Sequence, residues 1–339
     1  MPIEGKHVSI HIFYHTGDLR PLLIECIAPL VIHLRSAGLI SRYFFIRYWM
    51  GGPHLRLRLL PSTDVSESEI KGICEPAVES FLEQKPSLVD VTTETVSPYM
   101  RAMFEAEFGK KAYEEKYGAN GEIPIFPNNS IQYIDYEPEY HYYGGRPGLE
   151  LAEQHFWTSS SIVLDILRQD NSNVKTIILG QALQLMLHFA GAFFGCTAGA
   201  ANFFKWHKRV WSNSDLTSEQ QKLFEQGYAR QADKLKKYVA RALNLQSCLS
   251  SEDGTLLRDW AAHAKWLSFS ARELYRSGML SFNLPAASED DAILHLATRY
   301  MHMTNNRLGV TMQEEVYLSH LLSHALNEIN AAPERSNDV

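Results

Sequence analysis

The chain has 339 residues and a formal net charge of −7, from 32 Lys and Arg against 39 Asp and Glu. That length suits one or two domains with material for a sizeable core. The acidic balance argues against a general nucleic-acid binder and leaves room only for a local basic patch. The 45% hydrophobic and 21% charged content is that of an ordinary soluble globular protein. Cys26, Cys74, Cys196 and Cys248 are scattered and form no CxxC pair or zinc-type cluster, which predicts free or buried thiols in a reducing cytoplasm. GxGxxG, phosphate-loop and HExxH motifs are absent, so no metal and no cofactor are expected. Residues 1–14 lack the apolar run of a signal peptide. The apolar stretch near 177–201 is broken by Gln181, Gln184 and His188, which predicts a buried helix rather than a membrane span.

In chain order, Val8–Tyr14 alternates apolar and polar residues and predicts a first strand. Residues 19–37 carry apolar side chains at helical spacing, with Pro29 as a kink and Gly38 as the stop. A hairpin over 42–60 follows. Ser66–Gln84 reads as a helix entered through Ser66 and Ser68, with Pro76 as a complication. The order β-α-β-β-α predicts an α+β unit with helices on one face of an antiparallel sheet. Residues 87–147 are rich in Tyr, Pro, Gly and Asn and read as irregular, with 131–136 completing the sheet. From Leu149 the pattern turns helical, over 149–168, 174–195, 217–248, 253–277, 288–303 and 311–330. Residues 281–287 form a connection and 333–339 a frayed tail. This divides the chain into an α+β portion, 1–147, and a helical portion, 148–332, which are either two domains or one integrated domain.

The most informative stretch is Phe44–Leu59, FFIRYWMGGPHLRLRL. After the Gly-Gly-Pro turn, His54, Arg56 and Arg58 alternate with Leu55, Leu57 and Leu59. On a strand this sends the leucines to a core and places the three basic groups on the opposite face, about 6.6 Å apart. Arg forks match carboxylates and phosphates. The pattern therefore reads either as an anion clamp or as a solvated outer face.

Three segments go beyond generic pattern: Phe44–Leu59, Tyr136–Ser161 (YEPEYHYYGGRPGLELAEQHFWTSSS) and Arg299–Leu308 (RYMHMTNNRL). In this order they resemble the C-terminal elimination domain of lantibiotic dehydratases, a domain that also stands alone in thiopeptide and related peptide-modification pathways. The resemblance covers about Val8 to Ala331. It implies β-elimination of glutamate from glutamylated Ser or Thr of a ribosomal precursor peptide, giving dehydroalanine or dehydrobutyrine. A separate protein would supply the glutamylation. Arg56 and Arg58 match the family arginines that hold the departing glutamate, with His54 beside them as a substrate-binding residue. His302 matches a family histidine suited to acid–base work. The resemblance implies that Arg56, Arg58 and His302 converge on one cleft, with Ser159 and Ser160 as wall residues. The family has Arg just before its Tyr-Gly-Gly element; here that position is Tyr142, and Arg146 lies just past the glycines as a compensating cation.

The departure at Tyr142 opens an alternative. Stand-alone relatives form the pyridine core of thiopeptides by joining two dehydroalanines in a formal [4+2] cycloaddition, with loss of water and the leader peptide. The segment holding Tyr133, Tyr136, Tyr140, Tyr142 and Tyr143 would line the peptide groove of such an enzyme or serve packing. A third alternative is a non-catalytic partner that binds a leader peptide by adding it as a strand to the sheet edge. In each case the partners are leader and core peptide, with no membrane and no direct nucleic acid; the oligomeric state is open. His11, His15, His188, His207, His263 and His295 read as structural or surface residues. Glu150 and Glu153 suit a helix start, Trp206–Arg209 a solvated helix face, and Arg307 either a helix end or the site.

Overall fold

The structure is a computed structural model that describes residues 6–89, 91–212, 216–245, 254–283 and 286–331. Cys248, Pro285 and the tail 333–339 lie outside these. The fold is α+β, and the chain divides into two compact units, Met1–Pro138 and Glu139–Val339.

In the first unit, β1 (Val8–Phe13), β2 (Ile40–Tyr48), β3 (His54–Pro61) and β4 (Ser130–Tyr133) form one sheet in the order β2-β3-β1-β4. All neighbours are antiparallel. Leu55, Leu57 and Leu59 are fully buried, on the face that receives α2 (Glu67–Gln84) and α1 (Ala28–Ser36). The predicted kink at Pro29 is realised as a π-helical turn, Leu22–Ile27, just before α1. Ala28 N–H donates to Leu23 O, five residues back. A widened turn makes room where the proline ring would otherwise strike the preceding carbonyl. Ser66 caps α2 by accepting from Glu69 N–H at 3.2 Å, and Pro76 is carried inside the helix.

The hairpin turn needs its glycines. Gly51 and Gly52 have φ of 81° and 109°. A Cβ on Gly52 would stand 2.5 Å from His15 Nε2. Gly51 O accepts from Phe126 N–H at 2.8 Å, tying the chain that precedes β4 to the turn. The segment expected to be irregular contains two helices, α3 (Thr93–Phe108) and α4 (Lys110–Tyr117). They pack around Met100, Phe104, Tyr113 and Ile123. Pro98 inside α3 and the surrounding Tyr, Pro and Gly disguise the Val96–Met100–Phe104 spacing that drives it.

The second unit is helical: α5 (Tyr140–Tyr143), α6 (Arg146–Leu167), α7 (Lys175–Phe194), α8 (Thr197–Trp211), α9 (Ser218–Ala229), α10 (Ala232–Leu245), α11 (Thr255–Arg276), α12 (Glu289–Leu308) and α13 (Met312–Ala331). Helix α7 is the one described helix long and apolar enough to cross a membrane, and it packs on α8, α11 and α12 instead. Trp260 of α11 donates to Leu185 O of α7 at 2.9 Å. Two expectations change. The region 217–248 is two helices, because α9 ends at Ala229 with Arg230 as its cap. Helix α8 was not anticipated; glycines at 195 and 199 bracket its start, and Cys196 Sγ caps it by accepting from Gly199 N–H at 3.3 Å.

Candidate functional site

The basic face of β3 is interior rather than solvated. His54 and Arg58 are 1% and 3% exposed. Register places Ser9, His11 and Phe13 of β1 opposite Arg58, Arg56 and His54, and Phe44, Ile46 and Tyr48 of β2 on the other side. The chain flanking β4 roofs this face: Phe126 stacks on Phe13 at 4.6 Å and Tyr136 packs on His7 and Phe44. Burial is what a one-faced sheet pattern does not reveal, since a roof from a distant segment converts an outer face into an interior one.

Arg58 donates from Nη2 to His11 Nε2 at 3.1 Å. Its Nε and Nη1 are buried and find no hydrogen-bond partner among the described residues. Burial, reinforced by the Arg56 charge, pushes the guanidinium down to about 9. The Arg56 guanidinium carbon lies 3.3 Å from the Tyr48 ring centre, and its Nε points to His54 Nε2 at 3.4 Å. His54 Nδ1 donates to Gly52 O at 2.8 Å. Burial and the Arg58 charge lower His7 to about 4. Burial likewise lowers His54 to about 3, with both arginines adding to it, and depresses His11 further. The result is two fixed cations among three neutral imidazoles. Such a surface attracts a carboxylate or an oxygen gaining negative charge, and its donors are held by a sheet.

His302 on α12 is partnered. Its Nδ1 donates to Glu315 Oε2 at 2.9 Å, and Trp211 stacks on the ring at 3.8 Å. Glu315 is fully buried on α13. Its Oε1 lies 3.0 Å from His207 Nε2, whose Nδ1 accepts from Ser319 Oγ at 3.0 Å. Burial would raise the Glu315 carboxyl, but the two histidines overcome it and hold it well below the usual carboxylate range. A His with a buried carboxylate on one nitrogen has a fixed tautomer and presents the other nitrogen for proton transfer. Sequence reasoning missed Glu315 and treated His207 as structural. The signal was a carboxylate at 315 on the same helical stripe as Ser319 and Leu322.

The remaining candidates fall in the second unit. Tyr142 lies under Arg299, whose guanidinium carbon is 4.1 Å from the ring centre; Arg299 was not singled out from sequence. Arg146 pairs with Glu150 on the next turn of α6, Nε to Oε1 at 3.0 Å. Ser159 is fully buried and donates to His155 O at 2.7 Å. Ser160, also fully buried, accepts from Arg307 Nε at 3.1 Å, and Arg307 lies over the Phe156 ring at 4.6 Å. A second histidine pair went unread. His155 Nε2 donates to Tyr300 O, and its Nδ1 accepts from His263 Nε2, both at 3.0 Å. Burial lowers both rings, His263 to about 4 and His155 well below its usual value.

The first unit thus carries an arginine-lined interior sheet face, and the second holds a histidine–carboxylate group. Residues 8–326 match the family model described as lantibiotic biosynthesis dehydratase C-term, and the chain belongs to that family. Among solved structures it is similar to TbtD, the pyridine synthase from thiomuracin biosynthesis, with a TM-score of 0.77, 20% identity, and 96% of this chain and 98% of that one covered. It is similar to TsrL at a TM-score of 0.70 and 15% identity, covering 97% and 96%. The tRNA-dependent lantibiotic dehydratase MibB from Microbispora sp. 107891 gives a TM-score of 0.59 and 16% identity, over 96% of this chain and 28% of that one. No curated protein matches in sequence. At these identities the structural likenesses establish the shared fold.

Proposed function

We propose that the chain is a pyridine-forming enzyme of thiopeptide-type biosynthesis, acting on a ribosomal precursor peptide that already bears two dehydroalanines. The observation that carries this reading is Tyr142 beneath Arg299, at the position where the elimination family places an arginine. With Arg146 paired to Glu150, the glutamate site of an eliminating enzyme lacks one of its cations. The greater likeness to a pyridine synthase, at a TM-score of 0.77 against 0.59 for the dehydratase, supports the same reading.

The chemistry balances without a cofactor. A proton moves from the amide nitrogen of one dehydroalanine to the carbonyl oxygen of the residue before it, giving a 2-azadiene. The vinyl carbons of the second dehydroalanine add across it, forming a six-membered ring that bears one hydroxyl and one amide nitrogen. Loss of water, then loss of the leader as a carboxamide, leaves the pyridine. Arg58 and Arg56 hold the carbonyl oxygen as it gains charge. In the second unit, His302, oriented by Glu315, is equipped for proton transfer. Binding that folds the peptide onto itself provides the entropic part of the acceleration.

The unpartnered N–H groups of Arg58 favour a second reading, glutamate elimination, in which Arg58 takes the departing carboxylate. Mass spectrometry of peptide incubated with the protein separates the readings. Conversion of a bis-dehydroalanine peptide to a macrocyclic pyridine, with release of leader, supports the proposal. Release of glutamate from a glutamylated peptide, with the bis-dehydroalanine peptide untouched, overturns it. Binding without conversion of either leaves the leader-binding partner as the function.

A further inference from the structure

Away from these residues, α9 and α13 bring three metal-ligating side chains together. His320 and His324 sit one helical turn apart on α13, so both rings leave the same face. Glu225 reaches them from α9. The Glu225 carboxylate oxygen lies 3.8 Å from His320 Nε2 and 3.7 Å from His324 Nε2, and the three donor atoms lie within 4.8 Å of one another. The two rings are 4.1 Å apart. His320 is 3% exposed, and its Nε2 is buried with no hydrogen-bond partner among the described residues. An imidazole nitrogen aimed at a carboxylate but beyond hydrogen-bond reach leaves a gap between them.

We propose that Glu225, His320 and His324 bind a first-row divalent cation, with zinc as the best-suited ion and water completing its shell. Ligand bonds of about 2.0–2.2 Å in a tetrahedral site set donor atoms roughly 3.3–3.5 Å apart. The observed separations close to that with small rotations of an exposed Glu and a half-exposed His. Two imidazoles and one carboxylate suit zinc, cobalt or nickel, while magnesium and calcium prefer all-oxygen shells. Lys208 on α8 faces the same cluster, opposing His320 and attracting Glu225. It is a cation that a bound metal must outweigh. The ion would fasten α9 to α13, which already approach closely: a Cβ at Gly227 would collide with the Tyr317 hydroxyl, and Gln231 Nε2 donates to that hydroxyl at 3.2 Å. The HxxxH spacing is visible in the sequence, but its third donor comes from a helix much earlier in the chain.

Untagged full-length protein, stripped with chelator, is titrated with zinc chloride by calorimetry, and zinc content is measured after gel filtration. Expected are one zinc per chain and a thermal midpoint that rises with zinc. His324→Ala and Glu225→Ala alter side chains that are 36% and 58% exposed, so both variants should fold. Each should weaken zinc at least about tenfold and lose the thermal response, with circular dichroism unchanged. Failure of the wild type to bind zinc overturns the proposal. So does equal zinc uptake and equal thermal shift in wild type and both variants. None of these readouts depends on pyridine formation or glutamate release.

Discussion

Arg58→Met should raise stability while removing function. The guanidinium is 3% exposed, with Nε and Nη1 unsatisfied. A fall from 12.5 to about 9 corresponds to roughly 5 kcal/mol against the charged form. Methionine fills similar space without charge. The substitution also removes the bond to His11, which costs about 1–3 kcal/mol. The net expectation is a gain of about 2–4 kcal/mol, in line with buried charges replaced by apolar side chains. The penalty is complete below pH 9, where Arg58 is charged in both folded and unfolded states, and is relieved as pH rises towards 12.5. The variant's advantage should therefore be constant from pH 6 to 8.5 and shrink above about 9. Thermal and urea unfolding at several pH values measure this, alongside conversion of peptide, which should fall on the order of 10²–10³-fold. Substrate peptide should raise the wild-type midpoint and leave that of the variant unmoved. A variant that melts 3 kcal/mol or more below the wild type at pH 7 would refute the reasoning, because it would mean the charge is already compensated in the folded protein.

Glu315→Gln leaves two histidines without their buried carboxylate and should cost about 3–5 kcal/mol at pH 7. Because the folded carboxyl lies below its unfolded value of 4.5, its contribution is present above that pH and fades as pH falls below it, so the two urea midpoints should converge only under strong acid. Tyr142→Arg sets a second guanidinium against Arg299 and should cut pyridine formation at least about tenfold, whereas Tyr142→Phe keeps the ring under the cation; unimpaired cyclisation by the Arg variant, together with glutamate release, would return the function to elimination. Gly52→Ala should cost on the order of 1–3 kcal/mol in chemical denaturation, since φ is 109° and the new methyl meets His15.

Period and turn chemistry made the hairpin readable: alternation after Gly51-Gly52 placed three leucines inside and three basic residues opposite. What the alternation could not supply was the roof. Phe126 and Tyr136 come from a stretch with no period, so an outer face and a roofed one look identical along β3. The long helices of the second unit were legible for the same reason that their boundaries were not. Apolar spacing persists across Arg230, where α9 stops and α10 begins. His302 was reached only through family resemblance; the residue that gives it chemical meaning, Glu315, lies on another helix and reads locally as an acidic residue near a helix start. Arg299 and Tyr142 likewise meet only in space.

Among the described residues no carboxylate pairs with Arg58, and this has a practical consequence. A buried guanidinium with Nε and Nη1 unpartnered among the described residues recruits whatever small anion the solution offers. Phosphate, sulfate or acetate in a buffer then becomes a competitor of the substrate rather than a spectator. Rates measured in phosphate should fall below those in an amine buffer at equal ionic strength, with the difference appearing in KM and vanishing at saturating peptide. Low-anion conditions are thus the natural setting in which to look for this protein's reaction.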